Sequence, residues 1–103
     1  MAFSRAPEFN LEQYLQSITA KAIAHPARIV ILQYLQDQGV SSFDELNRII
    51  PLARTTVSYH VRVLRQTHLI IPMDDGEYTF YELDDEQCCR SFEHLHPLVT
   101  AFI

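Results

Sequence analysis

Leu11, Leu15, Ile18 and Ala22 recur at i, i+4, i+7 and i+11, placing them on one stripe of an amphipathic helix expected from about Glu8 to Ile23. Pro26 suits the first turn of a second helix whose body, Ile29 to Leu35, is apolar nearly all round, and Gly39 stands where a C-terminal left-handed residue belongs. That makes the second helix the centre of the core. Ser42-Phe43-Asp44-Glu45 has the Ser-x-x-Glu form of a capping box and opens a short third helix, with Phe43, Leu46 and Ile50 inward and Pro51 as its stop. Only Pro51-Leu52-Ala53 separates it from a fourth periodic segment, Arg54 to about Thr67, with Val57, Val61 and Leu64 on its inner side. The pattern is helix, tight turn, helix.

The period then changes from helical to that of strands. His68 to Met73 and Glu77 to Leu83 are β-rich runs separated by Asp74-Asp75-Gly76, whose Asp-Gly step marks a hairpin, and Pro72 belongs at an edge or bulge because it has no amide hydrogen to donate. A last helix opens near Asp84, with Asp85 and Glu86 at its positive end. Its stripe is Cys88, Phe92, Leu95, Val99 and Phe102, and Pro97 kinks or splits it. The expected fold is mainly α with a small β-hairpin, an α+β winged helix-turn-helix in the order α-α-α-α-β-β-α, as one domain over residues 1–103.

Length and composition agree with a small folded domain: 103 residues, 48% hydrophobic and only 2 glycines, which leaves out low-complexity and disordered classes. A chain of this size buries only a modest share of its surface alone, so a dimer interface would add burial. No apolar run reaches the roughly 18 residues of a membrane span, and Met1 to Pro7 lacks the uninterrupted apolar stretch of a secretory signal. The two cysteines, Cys88 and Cys89, are neighbours in sequence and poorly placed to pair, so the expectation is a cytoplasmic protein with reduced thiols and no membrane partner.

The net charge of -5 argues against a nucleic-acid partner until its distribution is considered. Residues 1–72 carry seven basic and five acidic groups, whereas residues 73–103 carry one and eight. From Leu46 to Met73 there are Arg48, Arg54, Arg62 and Arg65 and no acid. Screening at physiological salt confines distant carboxylates to an influence of about 8 Å, so such a surface can still meet phosphates.

A helix-turn-helix followed directly by a hairpin has the parts of a winged helix, whose second helix fits the major groove of B-DNA. With Val57, Val61 and Leu64 inward, a rotation of roughly 100° per residue puts Thr55, Tyr59, Arg62 and Gln66 outward, flanked by Ser58 and Arg65. Arginine binds guanine edges, glutamine pairs with adenine, and hydroxyls reach bases or phosphates. Arg54, at the helix start, is placed for a phosphate, whereas His60 lies nearer the inward side and Thr56 suits a local structural role. The expected partner is double-stranded DNA. A winged helix serving as a protein interaction module is the alternative, and the net acidity favours it. An enzyme is not expected, since the chain has no Gly-rich phosphate loop, no Gly-x-Ser-x-Gly and no His-Glu-x-x-His.

The runs Ala24 to Leu35, Thr55 to Arg65, Leu69-Ile70 and Gly76 to Leu83, in that order, resemble the ArsR family of small winged-helix transcriptional regulators. The resemblance implies a homodimer built through the first and last helices, binding a partly palindromic operator and usually repressing transcription. On this chain those helices offer Leu11, Leu15, Ile18, Phe92, Leu95, Val99 and Phe102. Two positions depart from the family pattern. The wing tip Asp74-Asp75-Gly76-Glu77 is acidic where members often carry a basic residue, and His68 stands where they commonly have glycine, which requires a positive φ.

The family's thiolate metal site uses a Cys-x-Cys pair on the third helix, where this chain has Ser42 to Leu46, so that site is absent. A second family site uses ligands on the last helix. Here Cys89, Glu93 and His96 fall at i, i+4 and i+7, with His94 nearby, a trio able to offer Zn²⁺ three ligands in a metal-responsive regulator, although not in the family's ligand spacing. No cofactor is the leading expectation. Cys88 reads as a small hydrophobe in the apolar stripe and Cys89 as an inert thiol on the polar side.

Overall fold

The computed structural model describes residues 8–103, so the reading of Met1 to Pro7 as lacking a secretory pattern lies outside the described residues. Six helices and three strands follow in the order α1 (Leu11–Ala22), α2 (Pro26–Gln38), β1 (Val40–Ser42), α3 (Phe43–Ile49), α4 (Arg54–Gln66), β2 (Ile70–Asp74), β3 (Thr79–Leu83), α5 (Asp85–Glu93) and α6 (His96–Thr100).

α1, α2, α3 and α5 begin where a side chain satisfies free amide groups, whereas α4 and α6 have no side-chain cap. Asn10 Oδ1 accepts from the Gln13 amide at 2.8 Å while Gln13 Oε1 accepts from the Asn10 amide at 3.1 Å, a full capping box that starts α1 three residues after the expected Glu8. At α3 only half of the expected box forms. Ser42 Oγ accepts from the Glu45 amide at 3.1 Å, but the Glu45 carboxylate instead accepts from Ser41 Oγ at 3.0 Å and from the Tyr34 hydroxyl, which raises the Tyr34 pKa. α2 ends at Gly39 with φ 83° and ψ −54°, so the positive φ is as expected but the backbone is not left-handed helical.

The wing is a three-stranded antiparallel sheet of order β1-β3-β2 rather than an isolated hairpin. Ser41, Tyr81 and Pro72 stand opposite one another, with Ser41 and Tyr81 buried, and the next row, Val40, Glu82 and Ile71, faces outward. Pro72 lies on the outer strand β2, where its missing N–H costs no internal ladder bond. The hairpin loop is longer than its Asp-Gly step implies. Asp74 pairs with Thr79, leaving Asp75 to Tyr78 as a four-residue turn in which Asp75 Oδ1 accepts from the Tyr78 amide at 3.0 Å.

The core gathers Ala27, Ile31 and Leu35 of α2 with Leu46, Ile50, Val57, Val61, Leu64, Leu69, Ile70 and Tyr81. α2 packs against α4 and β3 at the middle of this cluster. Its termination is equally specific at α4: the His68 amide donates to Arg65 O and the Leu69 amide to Leu64 O, both at 3.0 Å, while His68 sits at φ 64°. These two bonds make a Schellman motif whose glycine position is filled by histidine at the steric cost of a positive φ. Leu64 and Leu69, the apolar pair of that motif, are fully buried.

The last helix is two helices. α5 ends at Glu93 and α6 starts at His96, so the break falls at His94-Leu95, just ahead of Pro97, which occupies a first-turn position of α6. α1 runs antiparallel to α5, with Thr19 Oγ1 donating to Ser91 O at 3.2 Å and His94 Nδ1 lying 3.4 Å from Glu12 Oε2. Among the described residues no helix is long and apolar enough to cross a membrane.

Candidate nucleic-acid interface

α4 divides cleanly between an inner and an outer face. Val57, His60, Val61 and Leu64 are buried, whereas Arg54, Thr55, Ser58, Tyr59, Arg62, Arg65 and Gln66 are exposed. The structure therefore brings all seven residues expected to meet DNA onto one open face, and Thr56 is exposed beside them. The cause is the 3.6-residue period: the inward residues follow i, i+3, i+4 and i+7, so the remaining positions turn to solvent, with Val63 half-buried at the boundary. At 13 residues and 1.5 Å per residue, α4 is about 20 Å long, enough to lie in a major groove.

The outward side chains are partly held in place. The Arg62 guanidinium stands 5.6 Å from the Tyr59 ring centre, and Arg28 of α2 approaches the same ring at 5.7 Å. Arg54 lies 4.7 Å from the ring centre of Phe43 and forms a 3.0 Å ion pair with Asp44, both charged groups remaining well exposed. Asp44 lies just outside the acid-free stretch Leu46 to Met73, and folding returns it to the start of α4. Any anion approaching Arg54 would compete with that carboxylate.

Between α4 and the wing runs an open cleft of about 580 Å³ lined by Asp44, Arg54, Thr55, Ser58, Glu77 and Tyr78 among others. Its far wall is the acidic wing tip, where two carboxylates serve the hairpin itself: Asp75 caps the turn and Asp74 Oδ1 accepts from Thr79 Oγ1 at 2.8 Å. The acidity of the wing is thus in part turn chemistry. Tyr78 projects there, 56% exposed.

Beneath α4 lies a group of residues of which the sequence pattern placed only His60, on the inward side. Arg28 Nε donates to His60 Nδ1 at 3.0 Å, the His25 ring sits 4.1 Å from that of His60, and His25 Nδ1 caps α2 by accepting from the Ala27 amide. Burial, then the neighbouring His25 and Arg28, holds the His60 pKa below its ordinary 6.5. The inward place of His60 in the helical period was legible. Its partner Arg28, 32 residues away in sequence, was not.

The terminal helices expose large apolar side chains. Leu11 is 71% and Val99 55% exposed, Ile18 and Phe92 are also exposed and Leu15 is half-buried, but the expected stripe is interrupted: Leu95, half-buried, lies in the break before α6, and Phe102, 90% exposed, lies beyond its end. On the polar side, the trio Cys89, Glu93 and His96 is not assembled: among the described residues no group of three His, Cys, Asp or Glu side chains could hold a metal ion. The i, i+4, i+7 spacing presumed one continuous helix, and the break at His94-Leu95 puts His96 on α6. His94 instead faces Glu12. Cys88 donates to Leu69 O at 3.4 Å, and burial, with Asp85 and Asp84 beside it, pushes its pKa up to about 11. Both thiols are free.

A helix-turn-helix domain model matches residues 23–71, the span from the end of α1 into β2. The arsenical resistance operon repressor of Bacillus subtilis (strain 168) is 30% identical over 77 residues, covering 75% of this chain and 71% of the relative. Among solved structures, reduced HlyU from Vibrio cholerae N16961 superposes with a TM-score of 0.66 at 29% identity, covering 84% of this chain and 90% of that one. An ArsR family transcriptional regulator superposes with a TM-score of 0.71 at 18% identity over 87% and 92% of the two chains, a likeness of fold alone. With its helix-turn-helix, its wing and a repressor relative matched over most of its length, the chain belongs to the ArsR family of winged helix-turn-helix transcriptional regulators, not to any class of enzyme.

Proposed function

We propose that two copies of this chain, joined through α1, α5 and α6, bind a partly palindromic operator and repress transcription, with one α4 in each of two successive major grooves. The observation that carries this reading is the outer face of α4, where seven hydrogen-bonding residues stand exposed and no carboxylate shares the helix. Thr55, Ser58, Tyr59, Arg62 and Gln66 read base edges, and Arg54 and Arg65 anchor on phosphates. The exposed apolar side chains Leu11, Ile18, Phe92, Val99 and Phe102, with Leu15 and Leu95 beneath them, support a second copy as the other half of the interface. A repressor relative supports the direction of control. The site of action on this reading is the cytoplasm, where operator and reduced thiols coexist.

Selection of tight binders from a random duplex pool tests the proposal. Enriched sequences with two related half-sites about one helical turn apart, roughly 34 Å, are the expected result. A pool that never enriches contradicts it and favours the protein-interaction alternative. The reading needs no metal, so adding Zn²⁺ or a chelator should leave affinity for the selected site unchanged. A metal-dependent change would return Cys89, Glu93 and His96 to consideration as ligands contributed across the dimer.

A further inference from the structure

The Arg28 guanidinium joins three parts of the molecule. Its Nε donates to His60 Nδ1 of α4 at 3.0 Å, and its Nη1 donates to Lys21 O and Ala22 O, at 3.1 and 3.3 Å, which are carbonyls of the last turn of α1. Lys21 O also accepts from the Ala24 amide at 3.3 Å, and a cation beside these last-turn carbonyls answers the negative end of α1. One rigid fork from α2 thus fastens the end of a proposed dimer helix to the underside of the helix proposed to read DNA. Arginine has no acceptor atom, so the bond to His60 requires a lone pair on Nδ1, with the ring hydrogen on Nε2. A proton arriving on Nδ1 would set N–H against N–H.

Resting on the operator-binding reading, we infer that Arg28 is a positioning residue that braces α4 against the end of α1, through a bond that exists only while the His60 ring is neutral. The groups facing that ring are Arg28 from α2, His25 from the α1–α2 connection and Tyr59 from α4 itself. None of the salt bridges among the described residues involves His60, so an imidazolium there would meet a guanidinium and another imidazole without a carboxylate to offset it. The lowered pKa of His60 accords with that surrounding. Toward the outward face Arg28 approaches the Tyr59 ring at 5.7 Å, and the same ring carries Arg62, one of the residues proposed to read bases. Releasing the brace therefore loosens the reading face and leaves its charges unchanged.

The experiment compares operator and scrambled duplex binding by wild type, Arg28→Lys and His60→Asn across salt concentration, at about pH 8 and about pH 5.5. Arg28→Lys keeps the charge but loses the fork. It should bind the operator about tenfold more weakly, the order of one lost hydrogen bond, with the salt slope of wild type, because no phosphate contact is removed. Wild type should lose operator affinity at the acid pH. Protonation of exposed histidines adds positive charge and acts in the opposite direction, so an acid loss marks the brace. His60→Asn, whose Oδ1 replaces Nδ1 as an acceptor at every pH, should keep its affinity there.

Equal operator affinity in wild type and Arg28→Lys would overturn the inference, as would a salt slope reduced by about one, which would make Arg28 a phosphate contact. An acid loss that persists in His60→Asn would also overturn it. Wild type that does not distinguish operator from scrambled DNA is a different result and removes the operator reading itself. Should Arg28→Lys fold poorly by circular dichroism, the pH comparison of wild type with His60→Asn decides alone. A long-range ¹H–¹⁵N spectrum showing His60 as the Nδ1–H tautomer contradicts the brace without any DNA present.

Discussion

The outer face of α4 and the outer face of the terminal helices are both open to water, yet they are built from opposite chemistry. α4 presents Thr55, Ser58, Tyr59, Arg62 and Gln66, groups that water satisfies as well as a base edge does. α1, α5, α6 and the turn after α6 present Leu11, Ile18, Phe92, Val99 and Phe102, which water does not satisfy at all. Isolated apolar side chains on a surface are ordinary, but a run of them along packed helices marks an interaction face. Exposure thus has two chemistries in one small domain: on the proposed function α4 keeps a reading surface free, and the terminal helices offer apolar surface for a second copy to bury. On the proposed function the two depend on one another, because a two-fold operator can be read only when an interface fixes the spacing of two α4 helices.

The largest expected effect breaks the apolar side of this comparison. Phe92→Asp places an unpaired carboxylate in the proposed interface and should weaken dimerisation by about 3 to 5 kcal/mol, the range for an uncompensated buried charge. Light scattering should then show monomer where wild type shows dimer, and operator affinity should fall with it. Breaking the polar side is the next largest. Arg62→Ala should cost about 1 to 3 kcal/mol of specific binding while leaving the dimer intact, measured by anisotropy against the selected operator.

Acid tests the layer between the two faces. The His60 pKa is lower folded than unfolded, so the unfolded chain binds the extra proton more readily and stability rises with pH. The contribution is complete above the ordinary 6.5 and is lost as pH falls below it toward the lowered folded value. Thermal melts should show a decline over that window that His60→Asn lacks. The smallest effect sharpens the charge pattern of α4: Asp44→Asn releases Arg54 from its exposed ion pair, and operator affinity should rise by about 0.5 kcal/mol or less, the scale of a surface pair. A rise accompanied by a steeper salt dependence would confirm that Arg54 then finds a phosphate.

How much of this was legible in the sequence follows from the range over which each feature is decided. α2, α3 and α4 were readable because a 3.6-residue period, a proline stop and a capping serine are all local. The outer face of α4 was readable for the same reason, since it is the complement of Val57, Val61 and Leu64. β1 was not: Val40-Ser41-Ser42 is too short to show a period and exists only because β3 pairs with it. The box at Asn10 and Gln13 was within reach, and the apolar periodicity that suggested Glu8 concealed it. The pairs Arg28 with His60 and Asp44 with Arg54 arise from packing between elements, and no spacing along the chain announces them.

The central claim is that this domain, as a dimer, reads a specific duplex with the outer face of α4. Its most direct test is fluorescence anisotropy of purified protein against its own upstream DNA and a scrambled duplex, repeated over a salt series. Tight binding to one duplex, weak binding to the other, and a log affinity for the tight one that falls linearly with log salt are the expected result. Equal, weak binding to both duplexes, persisting after a random pool fails to yield a site, would contradict it.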